Sequence, residues 1–345
     1  MKNKSKKHSP VWGNSLKYLP WDEKKETSKT EELVSETIHE WYDSKHRLPS
    51  IVEVDLINSK KVETCPECDS CTFIKYGKDS NGIQRYKCKT CNATFTCLTN
   101  TIFEGKKIPI SEWIEFLIHL FEFHSIVTSS RDNRNAESTG RIWTYKVFEV
   151  LKHYQDNIIL SGTIYLDEMY FPVMPKDLIR NKDGKKLKGI SRNKLGVAVA
   201  FDDNGQFLLK CTYTSKPSDK STWNAVGLHI KEGSTIVHDG ERSHNNLIRK
   251  LKLSSIVYKT KNTKNLKDSE NPLDPINDIH ALAKRFMKVH GGYDRDNLQD
   301  WMNLICFILS KPENRYEKIV KFIEIALDSP IRVKYRDIMS KKVSK

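Results

Sequence analysis

Two Cys-x-x-Cys knuckles, Cys65-Pro66-Glu67-Cys68 and Cys88-Lys89-Thr90-Cys91, stand nineteen residues apart, and this pattern restricts the local fold more tightly than any other in the chain. Between them Asp79-Ser80-Asn81-Gly82 is a turn signal separating two β-like runs, residues 72–76 and 83–87. A hairpin there carries one knuckle to the other, and four thiolates complete the tetrahedral shell that Zn²⁺ prefers. The expectation is a zinc ribbon with Cys65, Cys68, Cys88 and Cys91 as ligands. Cys68-Asp69-Ser70-Cys71 is also a Cys-x-x-Cys, but Pro66 and the symmetrical spacing favour the first pair, and Cys71 and Cys97 are left without a role. A redox use of these pairs is weaker, since no βαβ pattern surrounds them.

The remaining cysteines, Cys211 and Cys306, stand alone, so the chain carries no secreted disulfide framework. With 345 residues, two or three domains and at least one sizeable core are expected. No run approaches the ~20 apolar residues that span a bilayer, and the Lys-rich start leads into no apolar stretch. The expectation is therefore a cytoplasmic protein with no membrane partner. Its 58 Lys and Arg against 44 Asp and Glu, a net charge of +14, create a field that attracts a polyanion, and nucleic acid is the first candidate.

Residues 1–27 read as a basic arm, followed by a short amphipathic helix over residues 28–44 with Leu33, Val34, Ile38, Trp41 and Tyr42 on one side. A helix is expected to begin at Ser111 as N-cap, behind Pro109, with Trp113, Phe116, Leu117, Leu120 and Phe121 on its apolar face. A second runs over about residues 139–154, beyond the polar stretch 129–137. The pair reads equally as a helix-turn-helix or as a helical connector.

From Leu160 the pattern changes to strands. Ile164-Tyr165-Leu166-Asp167 and Ile236-Val237-His238-Asp239 are apolar runs that each end on an aspartate. A buried strand ending in Asp holds its carboxylate at a sheet edge, and two such carboxylates on neighbouring strands repel unless Mg²⁺ or Mn²⁺ lies between them. From the pair alone, ordinary turn or cap aspartates are as good a reading. The expected elements are strands over 164–170, 195–201 and 206–213, with Asp202-Asp203-Asn204-Gly205 as a hairpin turn, a helix over 221–230, a strand over 235–238, a helix over 245–251 and a strand over 255–259. That order matches a ribonuclease-H-like mixed sheet with flanking helices, in which the first and fourth strands lie side by side.

Further blocks extend this pattern: Asn100-Thr101-Ile102-Phe103, Leu166-Asp167-Glu168-Met169-Tyr170-Phe171, Val237-His238-Asp239-Gly240, Ile276-Asn277-Asp278-Ile279-His280 with Lys284, Gly291-Gly292, and Leu298-Gln299-Asp300-Trp301. Together with the knuckles, over roughly residues 64–309, they resemble the zinc-ribbon insertion-sequence transposases of the ISXO-two-like group, related to the wider DDE transposases. Members often carry Asn in place of the third acid and Lys seven residues later, so the resemblance implies Asp167, Asp239, Asn277 and Lys284 as the active constellation. Seven residues are almost two helical turns, which sets Asn277 and Lys284 on one face with His280 between them as a further catalytic candidate, and lets Ile279, Leu282 and Phe286 face the core. Asn277 offers a neutral oxygen to a metal, and Lys284 a charge to phosphate. Glu168 is expected on the opposite side of the strand from Asp167, with Asp274 and Asp278 as other nearby acids.

The resemblance implies a DNA transposase that binds terminal inverted repeats, cleaves at them and joins the 3′-hydroxyls to target DNA, using catalytic Mg²⁺ or Mn²⁺, structural Zn²⁺ and a homo-oligomeric assembly. In the implied mechanism two metal ions about 3.5–4 Å apart flank an in-line displacement at phosphorus. The alternatives are an inactive, transposase-derived DNA-binding protein and a metal-dependent nuclease that does not join. The domain boundaries drawn from the pattern are residues 1–60 (arm and short helix), 61–104 (ribbon), 105–156 (helical segment), 157–312 (catalytic domain) and 313–345 (helix and basic tail).

Overall fold

The structure is a computed structural model and describes residues 29–30, 33, 49–104, 108–133, 135–213, 216–263, 265–267, 270–290, 296–331 and 333. The basic arm, Val34, Ile38, Trp41 and Tyr42 of the expected first helix, Gly291-Gly292 and the basic tail lie outside the described residues. Among those described, no helix is long and apolar enough to cross a membrane. The chain divides into two compact units, Met1–Thr144 with Glu324–Lys345, and Tyr145–Ile323.

In the first unit, helix α1 (Ile51–Ser59) is capped by Ser50, whose hydroxyl accepts from Glu53 N at 3.2 Å. Strands β1 (Phe73–Lys78), β2 (Gln84–Cys88) and β3 (Thr94–Phe95) form an antiparallel sheet in that order. Phe73, Tyr86 and Phe95 meet with ring centroids 5.6 Å apart in each pair, so an aromatic triad takes the place of a larger core. Helices α2 (Ile110–Phe121), α3 (Ile126–Asp132) and α4 (Glu137–Leu151) follow. Trp113 of α2 stacks on Trp143 of α4 at 4.2 Å, and both are buried.

Two expectations for this segment are corrected. Ser111 is not the N-cap of α2. The helix begins one residue earlier, behind Pro109, and the buried Glu53 carboxylate accepts from Ile110 N at 2.7 Å and Ser111 N at 3.2 Å. A long-range carboxylate thus satisfies the orphan donors at the positive end of the helix dipole. The polar stretch 129–137 is not wholly a connection either, because α3 (Ile126–Asp132) takes its first four residues. Its polar sequence hides a buried face: Ser129 and Ser130 are buried, and a Cβ on Gly140 of α4 would lie 2.0 Å from Ser130 Oγ. Small residues permit this close crossing where a periodicity search looks for large apolar ones.

The second unit is built on β4 (Thr163–Pro172), β5 (Lys194–Asp202), β6 (Phe207–Cys211), β7 (Thr235–His238) and β8 (Ser254–Val257), in the sheet order β6-β5-β4-β7-β8. β5 is antiparallel to β4 and β6, whereas β7 is parallel to β4 and to β8. This order and sense make a ribonuclease-H-like mixed sheet. Helix α5 (Asp219–Val226) lies between β6 and β7, and α6 (Asn245–Lys250) between β7 and β8; they cover one face. After a single turn, α7 (Thr260–Thr263), come α8 (Asp274–His290), α9 (Leu298–Leu309) and α10 (Arg315–Asp328). α8 packs on β4 and α9 on β6. At the hairpin after β5, Asp202 Oδ1 accepts from Asn204 N and Gln206 N, and Gly205 takes φ 75°.

The pairing of β4 with β7 sorts the site residues. Ile164 lies opposite Ile236 and both enter the core beneath α5 and α6. Side chains alternate along a strand, so Leu166, Glu168 and His238 share that face, while Tyr165, Asp167, Val237 and Asp239 belong to the other. Buried positions on β4 are Ile164 and Leu166, then Met169 and Phe171, with no slip in pairing to β5. The buried face changes at Asp167-Glu168, where the Asp167 side chain stays 27% exposed and that of Glu168 is buried.

Candidate functional site

In the ribbon the two knuckles repeat one backbone design. Cys65 N donates to Ser70 O and Cys88 N to Ala93 O, each at 2.9 Å. The residue after each second cysteine, Asp69 (φ 57°) or Asn92 (φ 60°), turns left-handed, a region that short polar side chains tolerate. Asn100 Nδ2 donates to Pro66 O at 2.7 Å and pins the first knuckle. The four expected sulfurs converge: Cys65 Sγ is 3.7 Å from Cys91 Sγ, and Cys68 Sγ is 3.6 Å from Cys88 Sγ. Tetrahedral Zn²⁺ with bonds of about 2.3 Å sets sulfurs about 3.8 Å apart, so the cluster fits zinc. The Cys91 backbone N–H, opposed by burial, and the Thr90 N–H hold the Cys88 thiol down to about 6. Although the Ser70 N–H favours its thiolate, the Cys91 thiol and burial push Cys68 up to about 12. A dication removes that competition for negative charge. Cys71 is exposed and outside the cluster, and Cys97 donates to Ile57 O at 3.0 Å, a structural role.

In the second unit Asp167 lies midway along β4, which runs on to Pro172 rather than ending at the aspartate as expected, and Asp239 follows the last residue of the neighbouring parallel strand β7; both line one cleft. Asp167 Oδ1 accepts from Glu168 N at 2.8 Å, and Asp239 Oδ1 from Glu241 N at 2.9 Å. Gly240, at φ 88°, makes the turn after β7, where a Cβ would come within 2.8 Å of Val257 Cγ1. Burial, then the charges of Asp239 and Glu168, push the Asp167 carboxyl up to about 7 despite the Glu168 N–H. The cleft above the pair is lined also by Glu168, Tyr170, Lys216 and Glu241.

The third partner comes from α8. His280 Nδ1 lies 3.9 Å from Asp167 Oδ2, and His280 Nε2 is buried with no hydrogen-bond partner among the described residues. Burial, then the Lys284 charge, lowers the imidazole to about 4 and keeps it neutral. Asn277, one turn earlier, is exposed, and its side chain makes no hydrogen bond among the described residues; Lys284, one turn later, is exposed as well. The helix is rotated from the expected orientation. Its buried residues are Ile276, His280, Ala283, Phe286, Met287 and His290, while Ile279 and Leu282 are half-buried. The 4-3-3-1-3 spacing selects His280, which the apolar pattern alone treats as a break.

Behind the pair, on the opposite face, lies a buried chain that sequence reasoning missed. His244 Nε2 is 3.1 Å from Glu168 Oε1, and His244 Nδ1 is 2.9 Å from His238 Nδ1. His238 Nδ1 also accepts from Gly240 N at 3.3 Å, and His238 Nε2 is 3.0 Å from Ser255 Oγ. An accepting His238 Nδ1 makes both His244 nitrogens donors, so His244 is an imidazolium paired with the Glu168 carboxylate. Against burial, the Glu168 hydrogen bond and charge raise His244, whereas burial, then the His244 charge, lower His238 to about 4. The side chains of His244 and Glu168 are 0% and 6% exposed. The signal that could have found them is parity: Glu168 and His238 share the face that α6 approaches.

No protein-family model matches the chain. Over 248 residues it is 23% identical to an uncharacterized protein in transposable element ISH50 of Halobacterium salinarum, covering 69% of this chain and 82% of that one. Among solved structures it is similar to the catalytic domain of Mos1 mariner transposase, at 11% identity and TM-score 0.29 over 55% of this chain and 94% of that chain. It is also similar to a pre-cleavage Mos1 transpososome, at 9% identity and TM-score 0.26 over 64% and 78% of the two chains.

Proposed function

We propose that this chain is a DDE-type DNA transposase of the zinc-ribbon, ISXO-two-like kind. It binds the ends of its element, cleaves them, and transfers the 3′-hydroxyls to target DNA by divalent-metal-dependent phosphoryl transfer. The observation that carries the reading is that Asp167 and Asp239 line one cleft of a ribonuclease-H-like sheet, with His280 Nδ1 3.9 Å from Asp167 Oδ2. The relative from a transposable element supports it.

The donor set fits Mg²⁺ or Mn²⁺: each aspartate keeps a carboxylate oxygen outside its backbone bond, and a neutral imidazole stands beside them. A bound divalent cation supplies Lewis-acid polarisation of the scissile phosphate and a more acidic nucleophile. Asp167 and Asp239 would hold it, with His280, beside Asp167, as a further donor. Exposed Lys284 and Asn277 offer a cation and an amide to phosphate oxygens. The Glu168–His244–His238 chain links the middle of β4 to the end of β7 from behind, which steadies the separation of the aspartates. In the segment between β4 and β5, Arg180, Lys182, Lys185, Lys186, Lys188 and Arg192 are exposed, a basic surface suited to DNA phosphates. Assembly as a homo-oligomer on paired ends belongs to the same reading.

The test is a metal titration on labelled DNA carrying the element's ends, read for nicked and joined products. Asp167→Asn is expected to lower cleavage at least about 10³-fold with DNA binding intact, and His280→Ala to cost more than Asn277→Ala. Wild-type cleavage by Asp167→Asn would overturn the site, and nicking without joined product would leave a nuclease.

A further inference from the structure

The helical segment of the first unit holds a cluster that the proposed chemistry does not use. His119, His124 and Asp132 each direct one potential ligand atom to within 4.8 Å of the other two. His119 Nδ1 lies 3.7 Å from Asp132 Oδ2, and the two imidazole centroids are 5.0 Å apart.

The backbone builds this meeting. At the end of α2, His124 N donates to His119 O at 2.9 Å and Phe123 N to Leu120 O at 3.3 Å, with Phe123 left-handed at φ 67°. These are the paired bonds of a Schellman motif, whose left-handed position is usually Gly and whose outer residues ordinarily meet in an apolar contact. Here the left-handed position is a bulky aromatic, uncommon at positive φ, and both outer residues are histidine. α3 then brings Asp132, its last residue, beside His119. Two imidazoles and a carboxylate thus stand where a helix end normally places hydrocarbon.

We propose that His119, His124 and Asp132 form a second metal site, for a zinc-class transition ion, that ties the C-terminal end of α2 to that of α3. The nitrogen-rich set selects this class over Mg²⁺ or Ca²⁺, and water completes the coordination. Bonds of about 2.0–2.2 Å set neighbouring ligand atoms about 3.4 Å apart, so the His119–Asp132 pair is already near the required spacing. His124 is exposed, and rotation of its ring closes the set.

The test uses the full chain, saturated with Zn²⁺, desalted and analysed for zinc per chain by mass spectrometry. His124→Ala and Asp132→Asn are each expected to hold one equivalent less than the parent, both in the wild-type background and in Asp167→Asn, so zinc at the acidic pair does not enter the difference. Zinc-free His124→Ala should melt with the zinc-free parent but lose part of the Zn²⁺-induced rise in melting temperature. Equal zinc content in His124→Ala and its parent would overturn the site, whatever the outcome of the cleavage assay.

Discussion

The ribbon and the acidic cleft each gather charged or ionisable groups that repel one another without a cation, yet they are assembled in opposite ways. In the ribbon, two copies of one local turn supply all four sulfurs within twenty-seven residues, Cys65 to Cys91. In the cleft, Asp167, Asp239 and His280 come from two strands and a helix separated by long stretches of chain, and their meeting depends on the parallel pairing of β4 with β7 and the rotation of α8. A site written in local spacing is sensitive to its ligands above all. A site written in topology is also sensitive to whatever holds the elements together.

The largest expected effect tests the local half of this contrast. Cys88→Ser removes one of four thiolates, and with it much of the roughly 10–16 kcal/mol that a structural zinc contributes at pH 7. Zinc loss and rapid hydrogen exchange through β1–β3 are expected, while Cys71→Ser should change stability by less than about 0.5 kcal/mol. Equal zinc loss in both variants would contradict the ligand assignment.

The next probes topology. Glu168→Gln leaves the buried His244 imidazolium without its counter-charge, a loss of about 3–5 kcal/mol in urea unfolding, and also removes one negative charge from the cleft that Asp167 and Asp239 line. Mn²⁺ affinity should fall with it, because the strand ends lose their brace. A variant as stable as wild type would show that the chain behind the site does not hold it.

The smallest effect is a pH dependence. In the metal-free protein the Asp167 carboxyl is raised to about 7, so the folded state holds its proton more tightly than the unfolded chain. Its contribution to stability is therefore present below the unfolded value and is lost as pH rises through about 7. A divalent cation must displace that proton at low pH and not at high pH. The Mn²⁺-induced rise in melting temperature should be about 2–4 °C larger at pH 8 than at pH 6, and this difference should vanish in Asp167→Asn. An equal rise at both pH values would remove Asp167 from the metal site.

Much of this was legible before the structure. The strand order of the second unit follows from alternating apolar runs and turn residues, and 235–238 is a strand at the expected bounds. The α2 cap was not legible, since Glu53 lies 57 residues from Ile110. Nor was α3, whose buried face is one isoleucine and two serines packed on Gly140 of α4.

By itself the sequence determined the cysteine set, the two apolar runs that lead into Asp167 and Asp239 and the excess of basic charge, because each is a property of residue type and short-range spacing. Only the tertiary structure decided that His280 stands beside Asp167 while Asn277 stays exposed, that His244 is the group Glu168 meets behind the sheet, and that His119 and His124 face Asp132. Those outcomes depend on helix rotation and strand parity, which are set by how whole elements bury their faces against one another.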